Sequence, residues 1–429
     1  MKRKLIDTLI EWKNSYDPNH KTKRQVIPYK PILLFGAKGV GKTYLAYDFA
    51  KSFFDQIYYI NMENGEHLSG LFSKDESVIE SKPENTIIIL DEIPFNSETM
   101  REIKQFLASG SFPFILAISS KPITDEGKEI FQTLPVYPME FDEFLTASGN
   151  EWYIEVIMTH FASNKKIPEI VHKELLALHQ LYLQIGGMPG AINEYINMAS
   201  TINIMEQHRI LVSAYYDCIR KFNSDSEALK MKQVFDSLSL QLLKDNKKFQ
   251  YNLIRKGTTS AMYKEAIQKL TENHYAIQCN KIAGIGLKEE DASNFKLYLP
   301  DTGLLYTQIK EAMEAQTDLH VKSKQTGKNK MIRNRDKALL ENYVAQSLQA
   351  RGYSFGFWES NSMAKIDFII EKDQSRIPIE IHCSNNTRSK SISVLKQHYQ
   401  FPYAIKISSK NFDFSNQIKY IPYYAVFCL

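Results

Sequence analysis

The segment Gly36–Thr43 combines glycine, lysine and threonine at a spacing that suits phosphate binding. It reads GAKGVGKT and follows the apolar run Ile32–Phe35, which satisfies the pattern GxxxxGK followed by Ser or Thr in a predicted strand–loop–helix context. Glycines let backbone amides approach phosphate oxygens that a side chain would exclude. The residues predicted to hold ATP are Gly36, Ala37, Lys38, Gly39, Val40, Gly41, Lys42 and Thr43.

Two side chains of this P-loop have more specific expected roles. Lys42 would bridge the β- and γ-phosphates as a point charge. Thr43, at the start of the following helix, would ligate Mg²⁺. The sequence therefore predicts ATP and Mg²⁺ as cofactors.

Two adjacent acids end a later apolar run, Ile87–Leu90. Asp91 would hold the water shell of Mg²⁺, and Glu92 would act as the general base that polarises the attacking water. A strand followed by a solvated turn has the same appearance, but the P-loop about 50 residues upstream favours the catalytic interpretation. The adjacent glutamate favours hydrolysis over passive nucleotide binding.

Short apolar runs that alternate with helical stretches would position these residues. A run without a polar face, such as Ile87–Leu90, is typical of a strand covered on both sides in a parallel sheet. The alternation predicts an α/β P-loop NTPase core over residues 1–150. Its expected strands are Ile32–Phe35, Ile57–Ile60, Ile87–Leu90, Phe114–Ser119 and Leu134–Met139.

The remaining chain is predicted to contain three further parts. Residues 151–225 read as a helical lid, and residues 226–290 as a winged helix with a two-stranded wing that begins at Tyr275–Cys279. A small α/β domain would occupy residues 291–429, after a basic linker at 316–337.

Composition restricts the class of protein. Hydrophobic residues make up 43% and charged residues 24%, as in ordinary globular proteins. The 53 basic and 49 acidic residues leave a net charge of +4, which does not identify a partner. The longest apolar runs fall short of the roughly 20 residues that a membrane span requires. Four dispersed cysteines and the lack of a secretory leader favour a cytoplasmic location.

Several motifs resemble the archaeal-type AAA ATPases of bacteria and archaea. That family joins an AAA core to a C-terminal domain of unknown function that resembles PD-(D/E)XK nucleases, and the resemblance covers nearly the whole chain. It rests on the helix with Trp12, GAKGVGKT, IIILDEI, and the stretches at Met139–Leu145, Ile185–Ile196, Leu297–Leu305 and Leu339–Tyr353.

The resemblance also directs attention to the strand Phe114–Ser119. Related ATPases place a γ-phosphate sensor at the end of this strand, which would be Ser119 here, although a serine is also ordinary at a strand end. Members usually carry an arginine shortly afterwards, whereas the segment Glu129–Phe141 has none. No arginine finger can be assigned, because Arg101 is near only in sequence.

A second group of acids lies in the C-terminal segment. Asp367 and Glu380 sit on two neighbouring predicted strands, and Glu341 on the preceding helix could supply a third carboxylate for Mg²⁺ or Mn²⁺. This restriction-endonuclease-like layout resembles PD-(D/E)XK, with His382 at the position expected to be lysine. The alternative is a degenerate nuclease fold that serves as a docking module.

Three functions remain open from the sequence. The first is an ATP-driven switch or regulator, the second an ATP-coupled DNA nuclease, and the third a scaffold that binds nucleotide without turnover. DNA contact could come from the winged helix and the basic linker. Both features could equally be a packed module and a solvated loop, and the protein partner is unidentified.

Overall fold

The computed structural model of the chain describes residues 2–16, 30–65, 68, 85–109, 114–282, 290–319, 325–360 and 364–429. The chain folds into two compact units, Met1–Tyr137 and Pro138–Leu429. None of the helices in these described ranges is long and apolar enough to cross a membrane.

The first unit contains a five-stranded parallel sheet in the order β2-β3-β4-β1-β5, which confirms the predicted α/β class. Every residue of β3 and β4 is buried, as expected for central strands covered on both faces. Its strands are β1 Ile32–Phe35, β2 Gln56–Asn61, β3 Thr86–Asp91, β4 Phe114–Ser119 and β5 Gln132–Pro135. Its helices are α1 Leu5–Asn14, α2 Lys42–Phe53, α3 Ser97–Ser109 and α4 Asp125–Ile130, with a short 3-10 turn at Met62–Asn64.

Strand β5 differs from the sequence prediction, which placed it at Leu134–Met139. It begins at Gln132 and ends at Pro135 because it pairs only with β1, which is four residues long. Because β5 begins with the polar residues Gln132 and Thr133, a search for apolar runs misses its start.

Helix α1 is attached to the sheet by its indole. The Trp12 ring packs edge-on against Phe114, with centroids 5.7 Å apart, and its Nε1 donates to the carbonyl of Lys30. Just before the helix, buried Arg3 donates to the carbonyls of Val40 and Tyr137, both at 2.7 Å. The N-terminal segment therefore contacts the backbone of the P-loop.

Within the described residues, the second unit joins ten α-helices to one large mixed sheet. Its helices are α5 Phe141–Ala147, α6 Trp152–Ser163, α7 Glu169–Ile185, α8 Pro189–Met198, α9 Ile204–Phe222, α10 Asp225–Leu242, α11 Ser260–Glu272, α12 Thr302–Leu319, α13 Gln325–Ala350 and α14 Ser391–His398. Its strands are β6 Ile277–Ile282, β7 Glu290–Tyr298, β8 Phe355–Glu359, β9 Lys365–Lys372, β10 Ser375–Ile381, β11 Ala404–Ser408, β12 Asp413–Ser415 and β13 Ile418–Pro422. Short 3-10 helices lie at Tyr251–Leu253 and Tyr423–Cys428.

The strands expected as a wing belong to this large sheet. The sheet order is β12-β13-β11-β10-β9-β8-β6-β7, so the antiparallel hairpin β6–β7 forms one edge of it. The connection is the parallel pairing of β6 with β8, in which Asn280 lies opposite Gly356. The expected boundary at residue 290 therefore falls where β7 begins, and the hairpin extends the C-terminal sheet instead of standing apart as a wing.

The basic tract at 316–337 also differs from its expected form. Helix α12 continues to Leu319 and α13 begins at Gln325, so most of the tract is helical. Its central residues, 320–324, lie outside the described residues. A high density of lysine and arginine predicts exposure but does not exclude a helix, because both residues have good helix propensity.

Two stretches on which the family resemblance rests meet in the second unit at Asp301. Its buried carboxylate accepts hydrogen bonds from the backbone N–H groups of Gly187, Gly303 and Leu304 at 2.6, 2.9 and 3.2 Å. Asp301 thus precedes α12 as its N-terminal cap and also links this helix to the turn between α7 and α8. Burial raises the pKa of this carboxyl group to about 6, although the three hydrogen bonds oppose the rise.

Candidate functional site

The P-loop turns sharply between β1 and α2 because its glycines permit two unusual features. A Cβ on Gly36 would lie 2.2 Å from the carbonyl oxygen of Val136, so any larger residue would collide with the backbone that leaves β5. Gly41 has φ 91°, a left-handed conformation, and it is the cap residue from which α2 begins. The loop therefore places the N-terminus of α2 at the carboxyl end of the central strands, where a phosphate can bind.

The Lys42 ammonium group is buried within this loop. It donates to the carbonyl oxygens of Gly36 and Ala37 at 2.9 and 3.0 Å and to the Ser120 hydroxyl at 2.8 Å. The side chain thus follows the inner surface of the loop, where these oxygen atoms accept hydrogen bonds from its ammonium group. An anionic phosphate would be a stronger acceptor for the same ammonium group.

Asp91, at the end of β3, accepts two hydroxyl hydrogen bonds on one of its oxygens. Thr43 Oγ1 and the Tyr59 hydroxyl lie 3.0 and 2.8 Å from Oδ2. The other oxygen, Oδ1, is buried and has no hydrogen-bond partner within the part of the chain that the structure describes. A buried carboxylate oxygen of this kind needs a polar ligand. A hydrated Mg²⁺ fits this site, because carboxylate and hydroxyl oxygens are its preferred protein ligands.

Glu92 follows Asp91 and is held by Ser120. Its backbone has φ 52°, an uncommon conformation for a residue other than glycine, which turns the side chain away from the strand. Ser120 donates from its hydroxyl to Oε1 at 2.6 Å and from its backbone N–H to Oε2 at 3.1 Å. Since the same hydroxyl accepts from Lys42, it connects the phosphate-binding lysine to the glutamate.

Ser119, the residue favoured by the sequence as a sensor, has a different environment. Its hydroxyl is fully buried and exchanges hydrogen bonds with the backbone of Lys121, at 3.2 and 3.0 Å. This contact stabilises the turn after β4. The neighbouring Ser120 is the serine that contacts both Lys42 and Glu92.

The structure brings the P-loop, Asp91 and Glu92 together and adds three residues that sequence reasoning missed. Arg3 holds the carbonyl of Val40, Tyr59 donates to Asp91, and Ser120 donates to Glu92. The pair Ser119–Ser120 offered a weak signal for the third. Arg3 and Tyr59 belong to segments without a recognisable motif.

The acids of the second unit have a different environment. Glu341, on α13, is buried and lies near three lysines: Lys247 at 2.8 Å, and Lys296 and Lys337 at 3.6 Å each. Their ammonium groups hold the pKa of the Glu341 carboxyl well below its usual range, although burial alone would raise it. The predicted third metal ligand is therefore part of a buried cluster of ion pairs.

The predicted β9–β10 hairpin brings Asp367 and Glu380 onto adjacent strands, as the pairing of Phe368 with Ile379 shows. Asp367 Oδ2 accepts from the backbone N–H of Ile381 at 2.8 Å, and its Oδ1 lies 3.8 Å from Lys337.

Glu380 has its own set of partners. It accepts from Ser389 at 2.7 Å and lies 3.3 Å from Lys406 and 3.4 Å from His382. These contacts outweigh the effect of burial and lower the pKa of Glu380.

The metal site expected at Glu341, Asp367, Glu380 and His382 stays a prediction. Within the described ranges, no three His, Cys, Asp or Glu side chains are grouped so that they could hold a metal ion. Lysine ammonium groups lie against Glu341 and Glu380 and compensate their negative charges.

Helix α11, in the segment predicted as a winged helix, is packed against its neighbour. Tyr263 is buried, and its hydroxyl donates to Gln233 of α10 at 2.7 Å. It therefore serves the interior of the second unit. DNA contact by this segment stays a prediction.

Three segments of the chain match models of protein families. Residues 28–145 match the family model described as an AAA domain. Residues 177–315 and 336–426 match two domains of unknown function, DUF8612 and DUF4143. No curated protein matches the sequence. The AAA match includes the P-loop, Asp91 and Glu92.

Solved structures give distant likenesses. A Walker-type ATPase of Pyrococcus abyssi is 14% identical, with 72% of this chain and 95% of that one covered and a TM-score of 0.40. RuvB of Thermotoga maritima is 14% identical, with coverages of 58% and 81% and a TM-score of 0.29. A signal-transduction ATPase with numerous domains from Pyrococcus horikoshii is 16% identical, with coverages of 75% and 43% and a TM-score of 0.26.

Proposed function

We propose that the first unit binds ATP with Mg²⁺ and hydrolyses it. The observation that carries this proposal is the joint placement of Lys42, Thr43, Asp91 and Glu92 at the carboxyl end of the parallel strands. Asp91 Oδ1 is buried there without a hydrogen-bond partner among the described residues. The match of residues 28–145 to an AAA domain supports the same activity.

Each side chain has a role that its present contacts support. Lys42 exchanges neutral loop carbonyls for phosphate oxygens, and the amides around Gly39 and Gly41 donate to the phosphates. Thr43 and Asp91 would hold hydrated Mg²⁺, which would neutralise the charge that develops on the phosphates. Glu92 accepts the proton of the attacking water.

Ser120 keeps Glu92 in place while the P-loop changes partners. When Lys42 moves toward phosphate, the Ser120 hydroxyl loses a donor but retains Glu92 as its acceptor. The backbone N–H of Ser120 holds the second carboxylate oxygen throughout. The base is thus positioned by a residue that also contacts the phosphate-binding lysine.

At the level of the whole chain, this activity is that of a nucleotide-dependent switch or regulator. The lysine partners of Glu341 and Glu380 argue against the alternative of a metal-dependent nuclease. A scaffold that binds nucleotide without turnover remains the competing proposal, and it differs in one measurable quantity, the rate of phosphate release.

Two variants of the full chain test the proposal. Lys42→Ala should abolish ATP binding measured by calorimetry, because the ammonium group is the principal cation of the loop. Glu92→Gln should bind ATP normally and lose turnover by about a hundredfold or more, the usual contribution of a general base. Lys128→Ala is the matched control for the first variant, since this exposed lysine lies outside the P-loop and forms an ion pair with the nearby Asp125.

Wild-type binding without phosphate release would select the scaffold. Unchanged turnover in Glu92→Gln would remove this residue as the base.

A further inference from the structure

Tyr59 contacts the site but belongs neither to the P-loop nor to the acidic pair Asp91–Glu92, and the proposed mechanism gives it no role. It lies on β2, where it is paired with Ile89 of β3, and its side chain reaches the end of that neighbouring strand. Its hydroxyl donates to Asp91 Oδ2 at 2.8 Å, the same oxygen that accepts from Thr43 at 3.0 Å.

The ring of Tyr59 is held in this position by a second aromatic residue. Tyr47, on α2 one turn after Thr43, packs on it with centroids 5.2 Å apart and planes inclined by 32°. Lys51, a further turn along the same helix, places its ammonium group 6.0 Å from the Tyr47 ring. The helix that begins at the P-loop thus supports the tyrosine that contacts Asp91.

Two donors on one carboxylate oxygen determine the orientation of the whole group. A carboxylate rotates readily about its terminal bond, for which the energy profile is broad. With Thr43 and Tyr59 both directed at Oδ2, that rotation is restricted and Oδ1 is the oxygen that faces a further ligand. Groups that orient a metal-binding carboxylate in this way contribute strongly to metal affinity in other sites.

We propose that Tyr59 is a positioning residue that orients Asp91 toward hydrated Mg²⁺ in the nucleotide complex. This inference rests on the proposed function, because it concerns the same metal. Tyr59 acts through Asp91 and does not touch the nucleotide or the metal. Its removal should therefore weaken the contribution of Mg²⁺ to nucleotide binding and leave metal-free nucleotide binding unchanged.

The neighbouring tyrosine provides a matched control. Tyr58 lies on the opposite face of the same strand, where its ring packs against the core of the first unit and its hydroxyl forms an exposed 3.5 Å contact with Gln56. Tyr58→Phe removes an equivalent hydroxyl from the same strand, and Tyr59→Phe removes the one that contacts Asp91. Both variants retain the ring, and thermal melting of each full chain verifies that it folds.

The experiment measures the dissociation constant of ADP by calorimetry, once in EDTA and once in Mg²⁺, for the wild type and both variants. The ratio of the two constants is the coupling between metal and nucleotide. In Tyr59→Phe we expect this ratio to fall about tenfold, with the constant in EDTA unchanged. Tyr58→Phe should match the wild type in both conditions.

Other outcomes identify which proposal fails. If Tyr59→Phe retains the wild-type ratio, the positioning role of Tyr59 is refuted while nucleotide binding stands. A loss of affinity that is equal in EDTA and in Mg²⁺ would also refute it, because the tyrosine would then support the fold of the loop. If the wild type binds no nucleotide in either condition, the proposed function fails and this inference fails with it.

Discussion

In the first unit, Asp91 and Glu92 accept hydrogen bonds from hydroxyl and backbone N–H groups, whereas in the second unit Glu341 and Glu380 lie against lysine ammonium groups. All four are carboxylates at or near the interior of an α/β unit. Neutral donors orient a carboxylate without cancelling its charge, and ammonium groups cancel it. The first arrangement leaves the negative charge of the carboxylates in place, and the second compensates it within the unit.

The two groups of acids show that the spacing of carboxylates alone does not identify a metal site. Asp367 and Glu380 lie on adjacent strands, much as the nuclease layout requires, but Lys337 and Lys406 contact them. In Asp91, one oxygen accepts from two hydroxyl groups, and the other is buried without a hydrogen-bond partner among the described residues. The type of hydrogen-bond partner therefore separates the two sites better than the spacing of the acids does.

Breaking the buried ion pairs of the second unit should give the largest effect on stability. In Glu341→Gln, the three lysines around this position lose their shared anion, and a broken buried pair costs about 3–5 kcal/mol. Chemical denaturation followed by circular dichroism would measure the loss in unfolding free energy. Asp91→Asn is the matched control, because an amide oxygen can still accept from Thr43 and Tyr59. Equal destabilisation by the two variants would contradict the distinction between the sites.

Asp301 is a third kind of carboxylate, which is buried and accepts hydrogen bonds from backbone N–H groups. Its pKa is raised from 3.8 to about 6, so the folded chain binds this proton more tightly than the unfolded chain does. The resulting stabilisation is complete below pH 4 and is lost as the pH rises through 6, by about 3 kcal/mol. Asp301→Asn should remove this pH dependence from the unfolding free energy measured between pH 4 and 7.

Asp413 is the control of opposite sign for this titration. The hydrogen bond from Lys410 lowers its pKa, so its contribution is lost as the pH falls. Asp413→Asn should leave the decline between pH 4 and 6 intact. The assignment to Asp301 would be refuted if the decline persisted in Asp301→Asn.

The smallest of these effects concerns the serine that holds the base. Ser120→Ala removes the hydroxyl donor to Glu92 but retains the backbone N–H, so we expect kcat for ATP to fall about tenfold, as for one lost hydrogen bond to a charged group. ATP affinity should change little, because the Ser120 hydroxyl is not among the groups proposed to bind the phosphates. Ser119→Ala should have wild-type kinetics. If Ser119→Ala lowered kcat and Ser120→Ala did not, Ser119 would be the functional serine, as the sequence predicted.

The parts that could be predicted from the sequence are those whose chemistry is local along the chain. Gly36–Thr43 forms its turn from neighbouring residues, and the all-apolar run before Asp91 requires a strand covered on both faces. The supporting residues come from distant segments: Arg3 lies 37 residues from Val40, and Tyr59 lies 32 residues from Asp91. Their roles depend on strand order and on the path of α1, which no local pattern encodes.

The second unit shows the same limit more clearly. The lysine nearest Glu341 is Lys247, 94 residues away, so the charge compensation could not be anticipated from the acids alone. The hairpin β6–β7 was recognisable from its local pattern. Its attachment to β8 depends on a parallel pairing across more than 70 residues of chain, and a local pattern cannot show which sheet an edge strand joins.

We propose that the metal site lies in the first unit, at Asp91, and the most direct test counts the Mn²⁺ ions that the full chain binds tightly. Electron paramagnetic resonance would measure this number with and without ADP. We expect one tightly bound ion that requires ADP, disappears in Asp91→Asn and remains in Asp367→Asn. A tightly bound ion that needs no nucleotide and disappears in Asp367→Asn would contradict the account, because it would place the metal site among the carboxylates of the second unit.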